Sequence, residues 1–314
     1  MIPVRDGDPD LLAIALRSVL GQGIGPTEMQ IEVVDDGSQR LDVATVVAAV
    51  GGERVAVRSR EGTHGAPRAF SECVERARGR WVHILHADDL VYPGFYAAYD
   101  EVLAADPEAV MAVSQSWFVD GDGHQLGLSG PLPTHGGRLI DAERLITRDN
   151  PVNFAAVVVR RSAYERVGGF DPGLIHANDW EMWTRLAAAG PVAVVPVVLA
   201  GYRRHRASDT SRLRRSMVYL TDPVAALDLI TDRFPDRADG RRVRREVRGR
   251  LACEALVAAA EQTDDGLHRL GARSALAAAG LSWDRVTARA AAVQLVHVAR
   301  HRLGSQPHHL SGTS

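Results

Sequence analysis

The chain contains no lysine, and all 37 of its lysine-plus-arginine residues are arginine. That excludes a Schiff-base lysine, and it excludes the G-x-x-x-x-G-K-[ST] phosphate loop, whose lysine has no substitute here. Cysteine is nearly as scarce. Cys73 and Cys253 stand far apart and form neither a disulfide framework nor a zinc pattern. A reducing, cytoplasmic setting is the simple expectation. A dominant charge is missing too: the formal net charge of -2 gives no global attraction to nucleic acid. Residues 1–20 lack the basic start and apolar run of a signal peptide. The longest apolar stretch, Val192 to Tyr202, falls far short of the ~20 residues that a membrane-spanning helix needs. No G-x-G-x-x-G follows a strand, which argues against a conventional dinucleotide fold.

What remains is an ordinary globular composition, 46% apolar and 24% charged, in 314 residues, enough for two domains or one large one. Ile2-Pro3-Val4 reads as the end of a buried strand with its first half missing, so either the natural start lies upstream or the strand is short. Asp8-Pro9 caps a helix whose Leu12, Leu16, Val19 and Leu20 keep helical spacing. Ile31 to Val34 is a strand ending in Asp35-Asp36-Gly37-Ser38. A helix over 43–50, a strand over 54–58 and a helix over 67–78 follow. Trp81 to Leu85 is a strand ending in His86-Ala87-Asp88-Asp89. Strands alternating with helices predict βαβ units and a mostly parallel sheet flanked by helices, the α/β class. Asp120-Gly121 predicts a hairpin after a strand over 110–119. Further strands are predicted over 154–159 and 192–199, with a helix over 179–189 between them. From about Ser211 arginine, alanine and leucine dominate, and the spacing predicts helices over 212–234, 240–262, 266–280 and 282–302. The expected division is a nucleotide-binding domain over 1–210, a helical region over 211–303 and a polar, frayed tail over 304–314.

Ligands of open parallel sheets sit beyond the carboxyl ends of the strands. Two such ends carry paired aspartates, Asp35-Asp36 and Asp88-Asp89. Clustered carboxylates repel, and a divalent cation such as Mg²⁺ or Mn²⁺ relieves the repulsion. Capping of the following turns is the competing explanation. Asn178-Asp179-Trp180-Glu181 opens a helix, where a carboxylate either caps or serves as a general base. Tyr202-Arg203-Arg204-His205 follows the last expected strand. Its cations suit a diphosphate, with a solvated basic turn as the alternative.

Taken in order, Ile2-Pro3-Val4-Arg5-Asp6, Val33-Val34-Asp35-Asp36-Gly37-Ser38, His86-Ala87-Asp88-Asp89, Gly168-Gly169-Phe170-Asp171 and Asn178 to Leu186 resemble glycosyltransferase family 2, inverting enzymes of the GT-A fold. The similarity covers about residues 1–210. It implies that Asp36 accepts from the edge of the donor's base, flanked by Pro3, Val4 and Arg5. It implies further that Asp88 lies near the ribose, that Asp89 binds the metal, and that Asp179 is the catalytic base. The Tyr-Arg-x-His segment also resembles family members, with Arg204 toward the diphosphate and His205 toward the metal. A UDP-sugar is the commonest donor in the family. A surface glycan or a secondary metabolite is the acceptor the resemblance suggests. Three positions depart from the pattern: His86 opens the D-x-D-type motif, Asn178 precedes the base, and Arg5 stands where relatives carry an aromatic. A non-catalytic sugar-nucleotide or glycan-binding protein on the same fold is the rival reading. A nucleotidyltransferase would need a Gly-rich phosphate loop near the start, which is absent. Arginines between 233 and 250 outnumber the acids there, which suggests peripheral contact with the inner membrane face or a homodimer through the C-terminal helices.

Overall fold

The apolar run Ile2–Val4 forms β1, and every residue of it is buried. In the computed structural model, which describes residues 1–205, 208–282 and 285–304, α1 (Pro9–Leu20) starts where the sequence predicts. The Asp8 carboxylate accepts from the Asp10 N–H, and Pro9 fills the first position. β2 (Glu32–Asp35), α2 (Val43–Val50), β3 (Ala56–Ser59) and α3 (Ala66–Arg76) follow. The three strands pair in parallel in the order β1-β2-β3, with Val4 opposite Asp35 and Asp35 opposite Ser59. Their carboxyl ends therefore open on one side.

The chain continues through β4 (Trp81–Val82), β5 (Leu90–Val91), α4 (Phe95–Ala105), β6 (Met111–Val113), β7 (Trp117–Val119), β8 (Gln125–Leu128) and β9 (Gly137–Arg138). Then come α5 (Ala142–Asp149), β10 (Val157–Arg160), α6 (Arg161–Val167), α7 (Asn178–Ala189), β11 (Val192–Val194) and β12 (Ala200–Arg203). These strands build two further sheets, β4-β10-β6-β11-β9 and β5-β12-β7-β8. Parallel pairing persists at β6–β11 and β7–β12, while the other ladders are antiparallel. The Asp120-Gly121 turn makes the expected hairpin, between β7 and β8. One expected strand divides and another is cut short. The run over 110–119 becomes β6 and β7 in different sheets. The run over 192–199 stops at β11, because Pro196 offers no N–H to a ladder, and β12 is the last strand.

One core runs under α1 and α4, joining Leu12, Leu16, Val33, Phe95 and Tyr99. Tyr99 is buried with its hydroxyl satisfied, donating to the Ala156 carbonyl at 2.8 Å. His83 lies beside it, stacked on Phe95 with Nδ1 3.0 Å from the Tyr96 hydroxyl. Burial pushes this imidazole down from 6.5 to about 3. Between those values the unfolded chain binds a proton that the folded chain refuses. Stability should therefore fall as pH drops from about 6.5 toward 3, at up to about 1.4 kcal/mol per pH unit. Denaturation midpoints at pH 7 and pH 4.5 test this. His83→Gln should show a flatter pH dependence, and equal slopes in the two proteins would remove His83 as the cause.

The chain divides into two compact units, the first Met1–Ser208 and the second beginning at Asp209. The second unit holds α8 (Asp209–Leu213), α9 (Val218–Asp232), α10 (Arg237–Asp264), α11 (His268–Leu281) and α12 (Arg285–Gly304). The four helices expected there are α9 to α12, and α8 is an extra short turn. Their core is made of small residues, Ala252, Ala255, Ala258 and Ala278 around Leu220. α10 and α11 approach so closely that a Cβ on Gly271 would stand 2.4 Å from the Thr263 hydroxyl. The arginine excess over 233–250 is partly offset by carboxylates of α9 and of α10 itself. Arg244 pairs with Asp228 and Asp232, Arg248 with Asp228, Arg242 with Asp239, and Arg250 with Glu254. Arg237, Arg241 and Arg245 stay exposed. Among the described residues, no helix is long and apolar enough to cross a membrane. The tail expected over 304–314 lies outside the described residues from position 305 onward.

Candidate functional site

At the ends of β1 and β2 three loops are tied together by carboxylates. The Asp36 N–H donates to the Val4 carbonyl at 2.9 Å, which extends the ladder past Asp35. Asp36 is 2% exposed. Its oxygens accept from the His64 N–H at 3.0 Å and the Gly65 N–H at 2.9 Å. Gly37 adopts a φ of +74°, and a Cβ there would lie 2.4 Å from the Gly62 carbonyl oxygen, so the loop over 60–65 is seated directly on this turn. Asp35 accepts from the Ser38 N–H at 2.9 Å. Asp6, in the left-handed region at φ 47°, accepts from the Gln39 and Arg40 N–H groups at 2.7 Å each. Those backbone donors, Arg40 first, hold its carboxyl below the usual range. Pro3 and Val4 are buried in the strand, and Arg5 is exposed at its end. The structure thus brings Pro3, Val4, Arg5 and Asp36 to one edge.

The strand expected over 81–85 stops at Val82, and the second acidic pair lies in a turn just before β5, where it forms a tighter cluster. Ligand-type atoms of His86, Asp88 and Asp89 all lie within 4.8 Å of one another. Asp89 is 1% exposed. Its Oδ1 accepts from the Arg203 N–H at 2.8 Å, and its Oδ2 is buried with no hydrogen-bond partner. Burial, reinforced by repulsion from Asp88, pushes the Asp89 carboxyl well above the carboxylate range. Burial is the largest single effect on Asp88 and opposes its ionisation, but the hydrogen bond from His205 and the charges of His86 and His205 together outweigh it and hold Asp88 low. His205 Nε2 stands 3.0 Å from Asp88 Oδ2, so His205 meets Asp88, and His86 is the histidine beside Asp89, 3.8 Å away. An orphaned buried oxygen, a neighbouring carboxylate and an imidazole form a donor set that fits a divalent cation.

The third part, Asp179, stands in the first turn of α7 and is partly exposed, and its Oδ1 accepts from the Trp180 N–H at 2.6 Å. One turn on, Trp183 faces the same side of the helix and is fully buried. Trp183 packs edge-on against Phe154 at 5.0 Å, and Phe154 lies 4.6 Å from the His86 ring, which also stacks on Phe70. Two ring contacts therefore join the helix of Asp179 to the His86–Asp89 cluster. Trp180 anchors the same helix to α5 through its indole N–H, 2.7 Å from the Ile146 carbonyl. Glu181, also fully buried, pairs with Arg185 at 2.8 Å, and Arg185 donates to the Val167 and Gly169 carbonyls of the Gly168-Gly169 loop.

Arg204 is not brought to the Asp88–Asp89 turn. Its guanidinium lies over the Phe118 ring at 3.7 Å. Side chains alternate along an extended chain, so Arg203 and His205 face the acidic turn and Arg204 faces away. The sequence shows Arg203 only as one of the cations suited to a diphosphate and not as a partner of the acidic turn, where its Nε donates to the Asp88 carbonyl. Sequence reasoning missed the role of His64 and Gly65, whose signal was the Gly-rich Gly62-Thr63-His64-Gly65 stretch.

Residues 1–168 match the profile of the family described as Glycosyl transferase family 2. Among curated proteins, the uncharacterized protein MT1568 of Mycobacterium tuberculosis is 28% identical over 212 residues. That alignment covers 63% of this chain and 64% of the relative, so the chain spans just under two thirds of that relative's length. Among solved structures, S. aureus TarS 1–349 in complex with UDP-GlcNAc matches with a TM-score of 0.65 at 15% identity, over 96% of this chain and 90% of that one. GalNAc-T7, solved with UDP, GalNAc and Mn²⁺, matches with a TM-score of 0.53 at 16% identity, over 72% of this chain and 46% of that one. At such identities the likeness shows the fold alone, the GT-A-type α/β architecture followed by a helical region.

Proposed function

Because the chain belongs to glycosyl transferase family 2, we propose that it moves a sugar, with inversion, from a nucleotide-diphosphate donor to a hydroxyl-bearing acceptor. The observation that carries this reading is the buried Asp89, with its unpartnered oxygen, grouped with Asp88 and His86, in a segment that the Phe154 and Trp183 rings tie to the helix bearing Asp179. On this reading residues 1–210 form the catalytic domain. The base and ribose of the donor bind along Pro3, Val4, Arg5 and Asp36, with Asp88 toward the ribose. A uridine donor is favoured by the UDP-bound relatives. Asp89, with His86 and Asp88 beside it, would hold Mn²⁺ or Mg²⁺, whose charge neutralises a departing diphosphate. Asp179 takes the proton from the acceptor hydroxyl as that oxygen attacks the anomeric carbon from the opposite face. One displacement inverts the centre, so no carboxylate nucleophile is needed.

A panel of UDP-, dTDP- and GDP-sugars, with and without Mn²⁺, tests the reading by thermal shift and by donor hydrolysis. A UDP-sugar should raise Tm in the presence of Mn²⁺ and be slowly hydrolysed. Binding without hydrolysis or transfer to any acceptor would favour the non-catalytic binder, and no response to any nucleotide sugar would overturn the assignment.

A further inference from the structure

β12 delivers one buried cation that donor binding and proton abstraction leave unused. Arg203 is 3% exposed. Its backbone N–H donates to Asp89 Oδ1 at 2.8 Å, and its Nε donates to the Asp88 carbonyl at 2.8 Å. Its Nη1 donates to the carbonyls of Asp120 and Gly121 at 2.8 and 2.9 Å. One side chain therefore bridges two turns, the acidic turn after β4 and the turn of the β7–β8 hairpin. The hairpin turn is itself held in shape. Asp120 Oδ1 accepts from the Asp122 and His124 N–H groups at 3.0 and 2.9 Å, which leaves the Asp120 and Gly121 carbonyls facing Arg203. Burying a cation costs several kcal/mol unless it is well bonded. A neutral side chain would fill this space more cheaply, so the bonding geometry of the guanidinium is what the site requires. Lysine would keep the charge but cannot fork between two turns.

We propose that Arg203 is a positioning residue: it locks the Asp88–Asp89 turn to the β7–β8 turn and thereby fixes Asp89 with its Oδ2 turned to a divalent cation. The inference rests on the proposed metal role of Asp89. It also gives the hairpin a function, since any shift of the turn at 120–121 is transmitted through a rigid fork to the cation site. Partners that orient a ligand carboxylate are worth about 10–100-fold in metal affinity.

Mn²⁺ binding to the full chain, without donor, is measured by calorimetry and by electron paramagnetic resonance, beside kcat and KM for donor hydrolysis. Wild type should bind Mn²⁺. Arg203→Met should weaken it by about 10–100-fold and raise donor KM more than it lowers kcat. Arg203→Lys should fall between the two. If Arg203→Met does not fold, a hairpin variant carries the test. Replacing residues 120–124 by Asn-Gly shortens the turn and moves its carbonyls away from their places opposite Arg203 while Arg203 stays, and it should weaken Mn²⁺ binding as Arg203→Lys does. Wild-type Mn²⁺ affinity in a folded variant would overturn the positioning role while leaving the proposed activity intact. A wild-type chain that binds no Mn²⁺ would instead strike the metal reading itself, and this inference with it.

Discussion

Replacing Asp179 by asparagine is expected to lower kcat by about 10²–10⁴-fold while donor affinity stays within about twofold. The carboxylate stands in the first turn of α7 and is partly exposed, where an acceptor hydroxyl can reach it. The amide oxygen of Asp179→Asn could still accept from the Trp180 N–H, so the local fold should survive. The acceptor hydroxyl needs a base only as it attacks, which is why binding of the donor is spared. Steady-state kinetics with an identified donor, together with donor calorimetry, decide the matter. Near-normal turnover accompanied by a loss of about 1 kcal/mol of stability would reduce Asp179 to a helix-end carboxylate.

Asp89→Ala should abolish the metal-dependent part of donor binding. The carboxyl is buried, crowded by Asp88 and left with one oxygen unanswered. Loss of a supporting partner of a metal ligand costs about 10–100-fold, so loss of the ligand itself should exceed about 100-fold. Asp89→Asn separates the two duties of this side chain. Its carbonyl oxygen can keep accepting from the Arg203 N–H while the negative charge is gone. Both variants should bind donor equally with and without Mn²⁺ in calorimetry. Metal-dependent affinity that survives in Asp89→Asn would place the cation elsewhere.

Local chemistry makes much of this molecule readable from its sequence. Asp8-Pro9 announces α1, the β-branched runs mark β1 and β2, and the two acidic pairs mark the two turns of the candidate site, Asp35-Asp36 at the end of β2 and Asp88-Asp89 just before β5. Helical spacing locates α7 with Trp180, Trp183 and Leu186 inside. What escapes is set by long-range pairing. Nothing near residue 115 signals that β6 and β7 join different sheets, because the break, Ser114-Gln115-Ser116, carries neither Gly nor Pro, and its serines find partners far along the chain, among them the Tyr99 hydroxyl, Asn153 and Ser129. Arg203 is legible as a cation but not as a bridge, since its partners are carbonyls more than 80 positions away. The same holds for the arginines of α10, which read as an excess until the carboxylates of α9 face them.

The carboxylate ties at the ends of β1 and β2 bear on the kinetics of whatever enters there. Fixing the backbone of a loose loop costs about 1–2 kcal/mol per residue in lost conformational freedom. Here Asp6, Asp35 and Asp36 already bind the backbone of residues 38–40 and 64–65, so that entropy is surrendered during folding. A visiting ligand has little left to organise on this edge. Its capture rate should be governed by diffusion and charge, and its residence time by the contacts it makes rather than by a closing loop.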